Sequence, residues 1–248
     1  MKNFLGLLCL ATSLGLPAGA ALAADAVPAV LADTGRPAED KARDADRKPA
    51  EMLAFANVHA GQTVIDFMPG KGYFTRIFSL AVGDKGSVYA LTPQVLIDLR
   101  QGKAGPPSVT TEPGRGNVHD VVSSNTSLNV PVKADLVWTS QNYHDIRIWT
   151  GADGIAKFNK AVFDALKPGG LYVVLDHAGV SGLDEEGMKK VHRIDEAEVK
   201  REVQAAGFVL DSESPVLRNP GDPHTASVFD ASIRGKTDQF ILRFHKPE

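Results

Sequence analysis

A chain of 248 residues, 43% apolar and 23% charged, has the make-up of a globular protein with room for one large core, which excludes a disordered or fibrous chain. Its 27 basic and 30 acidic residues leave a net charge of −3 with no basic block, which argues against nucleic acid as the main partner. Cys9 is the single cysteine, so no disulfide scaffold is available.

Lys2, the apolar stretch from Phe4 to Leu16 and the small-x-small site Ala21-Leu22-Ala23 read as a secretory signal over residues 1–23, cut before Ala24. The stretch is too short to span a bilayer comfortably, so no stable membrane insertion is expected after cleavage, and the chain is expected in the periplasm or secreted. Lys2 is the only charged residue removed, leaving 26 basic and 30 acidic residues, a net charge of −4. Residues 24–48 are expected as a flexible, then charged lead-in, and residues 49–248 as the folded domain. The run RPAEDKARDADRK (36–48) suits a solvated helix face with i,i+4 pairs. A sharper reading has Arg43 or Arg47 reach over a pocket mouth toward an anionic substrate.

Pro49 suits the first turn of a helix through Asn57, with Met52 and Leu53 facing inward. Residues 63–75, TVIDFMPGKGYFT, then run as an apolar strand (Thr63–Phe67), a Gly-bearing turn and a helix through about Ala81. Gly70 and Gly72 allow a tight turn and close approach of a ligand, and the helix points its first N–H groups there. Taken alone, GKG is a weak signal. It is neither a P-loop nor the full dinucleotide fingerprint, since Thr75 stands where a third Gly belongs.

Further strands are predicted at Ser87–Leu91, Val118–Ser123, Asp135–Thr139, Leu171–Leu175, Phe208–Leu210 and Phe240–Phe244. Helices are predicted at 93–101, 155–166 and, as one long amphipathic helix, 184–206. Residues 102–117 carry Gly and Pro throughout and read as an exposed loop, and Pro215 to about Lys236 reads as a connecting segment. Lys167-Pro168-Gly169-Gly170 reads as a helix stop. Strands alternating with helices imply an α/β, doubly wound, mostly parallel sheet with ligands at the carboxyl ends of the strands; the final strand, reached without a helix, is expected antiparallel.

Three segments in this order, VIDFMPGKGYFT, ADLVWTSQNYHD and ALKPGGLYVVLDH, with the tail TDQFILRFHKP, resemble the class I S-adenosylmethionine-dependent methyltransferases. More narrowly, the chain is similar to exported predicted methyltransferases of Gram-negative bacteria over roughly residues 40–248. The resemblance implies a seven-stranded sheet with the last strand inserted antiparallel. It implies S-adenosyl-L-methionine over Asp66, Gly70 and Gly72, with Thr92, Asn125, Tyr73 and Asn142 at the same pocket, and a small-molecule acceptor. Two positions depart from the pattern: Met68 replaces the first Gly of the turn, and Thr92 replaces the acid that grips the ribose hydroxyls. Ser124 or Asn125 stands where an acid contacts adenine.

Asn142-Tyr143-His144-Asp145 and Asp176-His177 follow neighbouring strands and open onto one crevice. His192, Arg193 and Asp195 lie in a helix segment that would fold over it. His144 or His177, oriented by Asp145 or Asp176, suits general acid–base work, with His144 the first choice. The residue types also suit a metal held by His144, His177 and carboxylates, although no local metal signature is present. The bland reading is structural hydrogen bonding at strand ends. Tyr73 and Tyr143 would wall the pocket, Trp149 would cap it, and Trp138 reads as core. His59, His119, His224 and His245 have no partner pattern. Arg218-Asn219 and Arg243 offer an anion contact. The rival to an enzyme is a methyltransferase-like module that has lost its cofactor and holds another metabolite.

Overall fold

The computed structural model describes residues 26–124 and 127–248. The expected signal segment and Asn125 therefore lie outside the described residues. Among the described residues the first elements are four helices, α1 (Ala26–Ala32), α2 (Ala38–Lys41), α3 (Asp44–Arg47) and α4 (Pro49–Phe55), followed by β1 (Thr63–Phe67), α5 (Tyr73–Val82), β2 (Ser87–Pro93) and α6 (Gln94–Leu99). After a single 3-10 turn at Val109–Thr111 come β3 (Val118–Ser123), β4 (Ala134–Ser140), α7 (Tyr143–Ala165), β5 (Leu166–His177), α8 (Glu185–Val191), α9 (Glu196–Ala205), β6 (Val209–Ser214) and β7 (Gln239–His245).

The strands form one sheet in the order β3-β2-β1-β4-β5-β7-β6, with β7 antiparallel to both neighbours and the first five strands parallel. The central strands are apolar on both faces because both are covered. Period-two alternation assigns the side chains to opposite layers. Ile65, Val137, Tyr172 and Val174 pack with Phe158 and Val162 of α7 and Val199 of α9. Val64, Leu136, Trp138 and Val173 pack with Leu53 of α4 and Ile77 and Phe78 of α5. Among the described residues no helix is long and apolar enough to cross a membrane.

Four expectations change. Residues 26–48 are not a loose lead-in: Val30 is buried in the core, the Arg76–Asp40 ion pair (2.9 Å) and the Tyr73 hydroxyl donating to Asp44 (2.6 Å) fasten α2 and α3 to the domain, and Arg36–Asp44 (2.6 Å) braces the segment itself. The helix expected at 155–166 starts at Tyr143 and breaks at Gly151 (φ 68°, ψ −173°), so Tyr143, His144 and Asp145 form its first turn. That helix ends at Ala165, and the Lys167–Gly170 stretch lies within the irregular start of β5. The helix expected at 184–206 is two, because His192 turns left-handed (φ 52°) and Asp195 caps α9 by accepting from Ala197 N at 2.9 Å.

Candidate functional site

β1 ends at Asp66 and Phe67, and the chain turns back over the sheet through Met68 (φ 56°), Gly70 (φ 59°) and Gly72 (φ 82°). Met68 thus keeps the left-handed backbone that a glycine would adopt freely, at a steric cost of about 1–2 kcal/mol. Its N–H donates to Leu91 O at 2.8 Å, and Asn142 Nδ2 donates to Phe67 O at 3.0 Å, so the turn is held from both sides. Asn142 Oδ1 is buried and has no partner among the described residues. A Cβ on Gly70 would meet open space, whereas one on Gly72 would stand 2.2 Å from Val109 Cγ2. The 102–117 segment is largely exposed, as expected, but rests Val109 on the turn. Together they enclose a cavity of about 220 Å³ that Thr92, Gly70, Gly72 and Val121 line.

Asp66 lies beneath the turn, 3% exposed, and accepts from Thr75 Oγ1 at 2.6 Å. Burial pushes its carboxyl up to about 6, against the opposing pulls of the Thr75 hydroxyl and Arg47. Thr75 thus serves the acid, which accounts for a hydroxyl where a third glycine was looked for. Tyr73 is buried, donates to Asp44 at 2.6 Å and carries the Arg47 guanidinium 4.4 Å from its ring centroid. Its face holds a protein cation, so it offers no stacking surface to a ligand.

A second cavity, about 260 Å³, opens at the carboxyl ends of β4 and β5, over Ser140, Gln141 and His177. Arg43 and Arg47 of the α3 region wall one side; Phe229, Arg234 and Thr237 wall the other. Arg47 donates to Ser140 Oγ at 3.2 Å, and desolvation, then Arg43, lowers it to about 10, so it remains a cation. None of the three arginines has an ion pair among the described residues, and Asp46 is the one carboxylate at the cavity. In a net acidic chain this cavity is cationic. His177 Nδ1 shares a 2.7 Å hydrogen bond with Thr237 Oγ1, and burial pushes the imidazole down to about 4, so the ring is neutral at ordinary pH.

His144 is placed differently from the expectation. It is 3% exposed and does not line the arginine cavity. Its Nδ1 meets Asp176 Oδ1 at 2.8 Å, and its backbone N–H donates to Asp176 Oδ2 at 2.8 Å. Asp176 is fully buried, also accepts from His177 N at 2.7 Å, and is held low chiefly by the His144 charge and hydrogen bond, against burial. That carboxylate outweighs desolvation at His144 and raises its imidazole. Asp145 and His192 stand on the other side of the ring. The structure thus brings His144, Asp145 and Asp176 together, with His177 behind them facing the cavity.

Several expected contacts belong to the core. Tyr143 is wholly buried and bonded to Glu202 (2.9 Å) and Asn159 (2.8 Å), so it walls no pocket. Trp138 is core as expected, while Trp149 lies within α7 and not in a loop. Arg193 is buried in an ion pair with Asp222 (2.8 Å), Arg218 pairs with Glu196 (2.5 Å), and Arg243 with Asp211 (2.6 Å), leaving none of these free for an anion. The residues that were not foreseen, Phe229, Arg234 and Thr237, come from the segment read as a connector. Its one sequence signal was the run of polar and Gly residues just before the last strand.

No known family profile and no curated protein matches the chain. Solved structures do. An S-adenosylmethionine-dependent methyltransferase from Aquifex aeolicus aligns with TM-score 0.56 at 19% identity, covering 84% of this chain and 94% of that one. A putative sarcosine dimethylglycine methyltransferase from Galdieria sulphuraria aligns with TM-score 0.57 at 15% identity, covering 84% and 88%. The fold is that of the class I methyltransferases. The [4+2]-cyclase SpnF is similar as well, with TM-score 0.56, 16% identity and coverage of 87% and 85%, so this fold alone does not name a reaction.

Proposed function

We propose that the protein is an exported S-adenosylmethionine-dependent methyltransferase acting on a small acceptor that carries a carboxylate or phosphate. The observation that carries this reading is the pair of cavities at the carboxyl ends of the strands, one over the Met68–Gly72 turn and a cationic one over β4 and β5. Two residues of the first fit the cofactor: Gly70 leaves an open cradle, and the Thr92 hydroxyl suits one ribose hydroxyl; the orphaned Asn142 Oδ1 lies beside the turn without lining the cavity. The cavity, about 220 Å³, is below the roughly 300–1,000 Å³ of small-molecule sites, so the Val109 segment must lift for entry. When bound, the cofactor supplies an electrophilic methyl group. Arg43, Arg47 and Arg234 would hold and orient an anionic acceptor in the second cavity. With Nδ1 on Thr237, His177 has Nε2 left to take the acceptor's proton. So weak a base suits an acceptor that loses its proton readily.

Calorimetric titration with S-adenosylmethionine and S-adenosylhomocysteine tests the cofactor half, with micromolar binding expected. No heat at millimolar ligand would leave the metabolite-binding module, for which Met68 and Thr92 would be the reason. Transfer of labelled methyl to a panel of carboxylate- and phosphate-bearing compounds tests the acceptor half. Arg47→Gln is expected to raise the acceptor KM by about tenfold or more, the worth of a charged hydrogen bond, with cofactor affinity unchanged.

A further inference from the structure

His144, Asp145 and His192 each turn one ligand atom toward a common point, and all three atoms lie within 4.8 Å of one another. His144 Nε2 is 3.4 Å from Asp145 Oδ1, and His192 Nδ1 is 3.5 Å from the same oxygen. Both distances are long for N–H···O hydrogen bonds, which centre near about 2.9–3.0 Å. They are the spacing that one ion imposes: bonds of about 2.0–2.1 Å in tetrahedral geometry set neighbouring ligand atoms about 3.4 Å apart. We propose that these three residues bind one divalent transition-metal ion of the zinc class, a site separate from the methyl-transfer cleft.

The surroundings support an ion over a bare His–Asp contact. Asp176 sits behind His144 at 2.8 Å from Nδ1 and is itself fixed by two backbone N–H groups. That arrangement selects the Nδ1–H tautomer, leaves the Nε2 lone pair facing Asp145, and is how metal-binding imidazoles are usually oriented. The His144 residue is 3% exposed, and the 3.4 Å approach of Nε2 to Asp145 is longer than an ordinary hydrogen bond. Asp145 and Asp176 together carry the charge that balances a divalent ion. His192 reaches the cluster from the left-handed residue that ends α8, and the Phe229 ring packs on it at 4.8 Å. Phe229 also lines the arginine cavity. An ion here would tie the first turn of α7 to the end of α8 and steady one wall of the acceptor site. Three protein ligands leave a fourth position open. His177 is outside the set, since the atoms that converge belong to His144, Asp145 and His192.

The test uses protein purified without an affinity tag, treated with chelator, dialysed, and titrated with zinc chloride in the absence of S-adenosylmethionine. One ion per chain is expected, with a rise in melting temperature. His192→Ala and Asp145→Asn, each removing a ligand that is partly exposed, are expected to weaken binding by about tenfold or more, on the scale of metal-site perturbations. His245→Ala should leave it unchanged. Circular dichroism on each variant separates loss of a ligand from loss of fold, and cobalt substitution reads the coordination sphere directly. Absence of stoichiometric binding by the wild type, or binding that survives His192→Ala intact, would overturn the site. Neither outcome depends on methyl transfer, so the site can fail while the cofactor titration succeeds, and the reverse.

Discussion

Asp66 shows how one buried carboxyl makes stability depend on pH. Its folded value of about 6 lies above the unfolded value near 3.8. Between those values the folded state holds more protons, so stability falls as pH rises from about 4 to about 6, and the penalty is complete above that. Asp66→Asn keeps an acceptor for the Thr75 hydroxyl and removes the charge. Urea unfolding near neutral pH is expected to show the variant more stable by up to about 3 kcal/mol, a difference that shrinks toward zero near pH 4. A destabilised variant at neutral pH would mean that Arg47 stabilises the carboxylate more than burial penalises it. His177 makes the corresponding case in chemistry. If it takes the acceptor's proton, His177→Gln should cut kcat by about 10²–10⁴-fold while calorimetry finds cofactor affinity within a factor of about two.

At the scale of elements, the walls of the site come from segments whose periodicity is broken. The Arg193 guanidinium, 0% exposed, donates to Asp222 through two nitrogens (2.8 and 3.1 Å), to Ala178 O (2.9 Å) and to Ala226 O (2.9 Å). Asp222 in turn accepts from the backbone of Asp238 (2.7 Å) and His224 (3.0 Å). This knot ties the α8–α9 break to the segment that carries Phe229, Arg234 and Thr237. Asp222→Ala leaves the guanidinium buried without its partner. It is expected to cost about 3–5 kcal/mol in thermal unfolding, the scale for breaking a buried pair. A loss below about 1 kcal/mol would mean that the segment is held by other contacts.

At the scale of the molecule, the proposed function requires the 102–117 segment to move when cofactor enters. Its Val109 is buried against Gly72, where a cofactor would approach. Val109→Ala lowers the cost of lifting it and is expected to tighten S-adenosylmethionine binding in calorimetry. Unchanged affinity would show that the cofactor enters without displacing that residue. A ligand at about one hundred times its Kd adds about 2.7 kcal/mol to the folded state. For a domain of this size that is a rise of about 5–10 °C in Tm, readable by calorimetry or fluorescence.

The α/β alternation, the limits of β1 and β3, and the antiparallel last strand were legible in the chain, because continuous β-branched runs between Gly-rich turns leave few other ways to bury both faces of a strand. The position of Asp66, Gly70 and Gly72 at the end of β1 and in the turn that follows was legible because it is set by local backbone. What only the tertiary structure decided depends on distance across the fold. His144 faces Asp176 from a different element, 32 positions on, and is shut out of the cavity that His177 enters. Arg47 is brought to Ser140 across 93 positions; the charged run allowed both a solvated face and an arginine over a pocket mouth, and packing chose between them. The partner of a charged residue is set by packing and by the cost of burying it alone, and neither quantity is written in the periodicity of the segment that carries it.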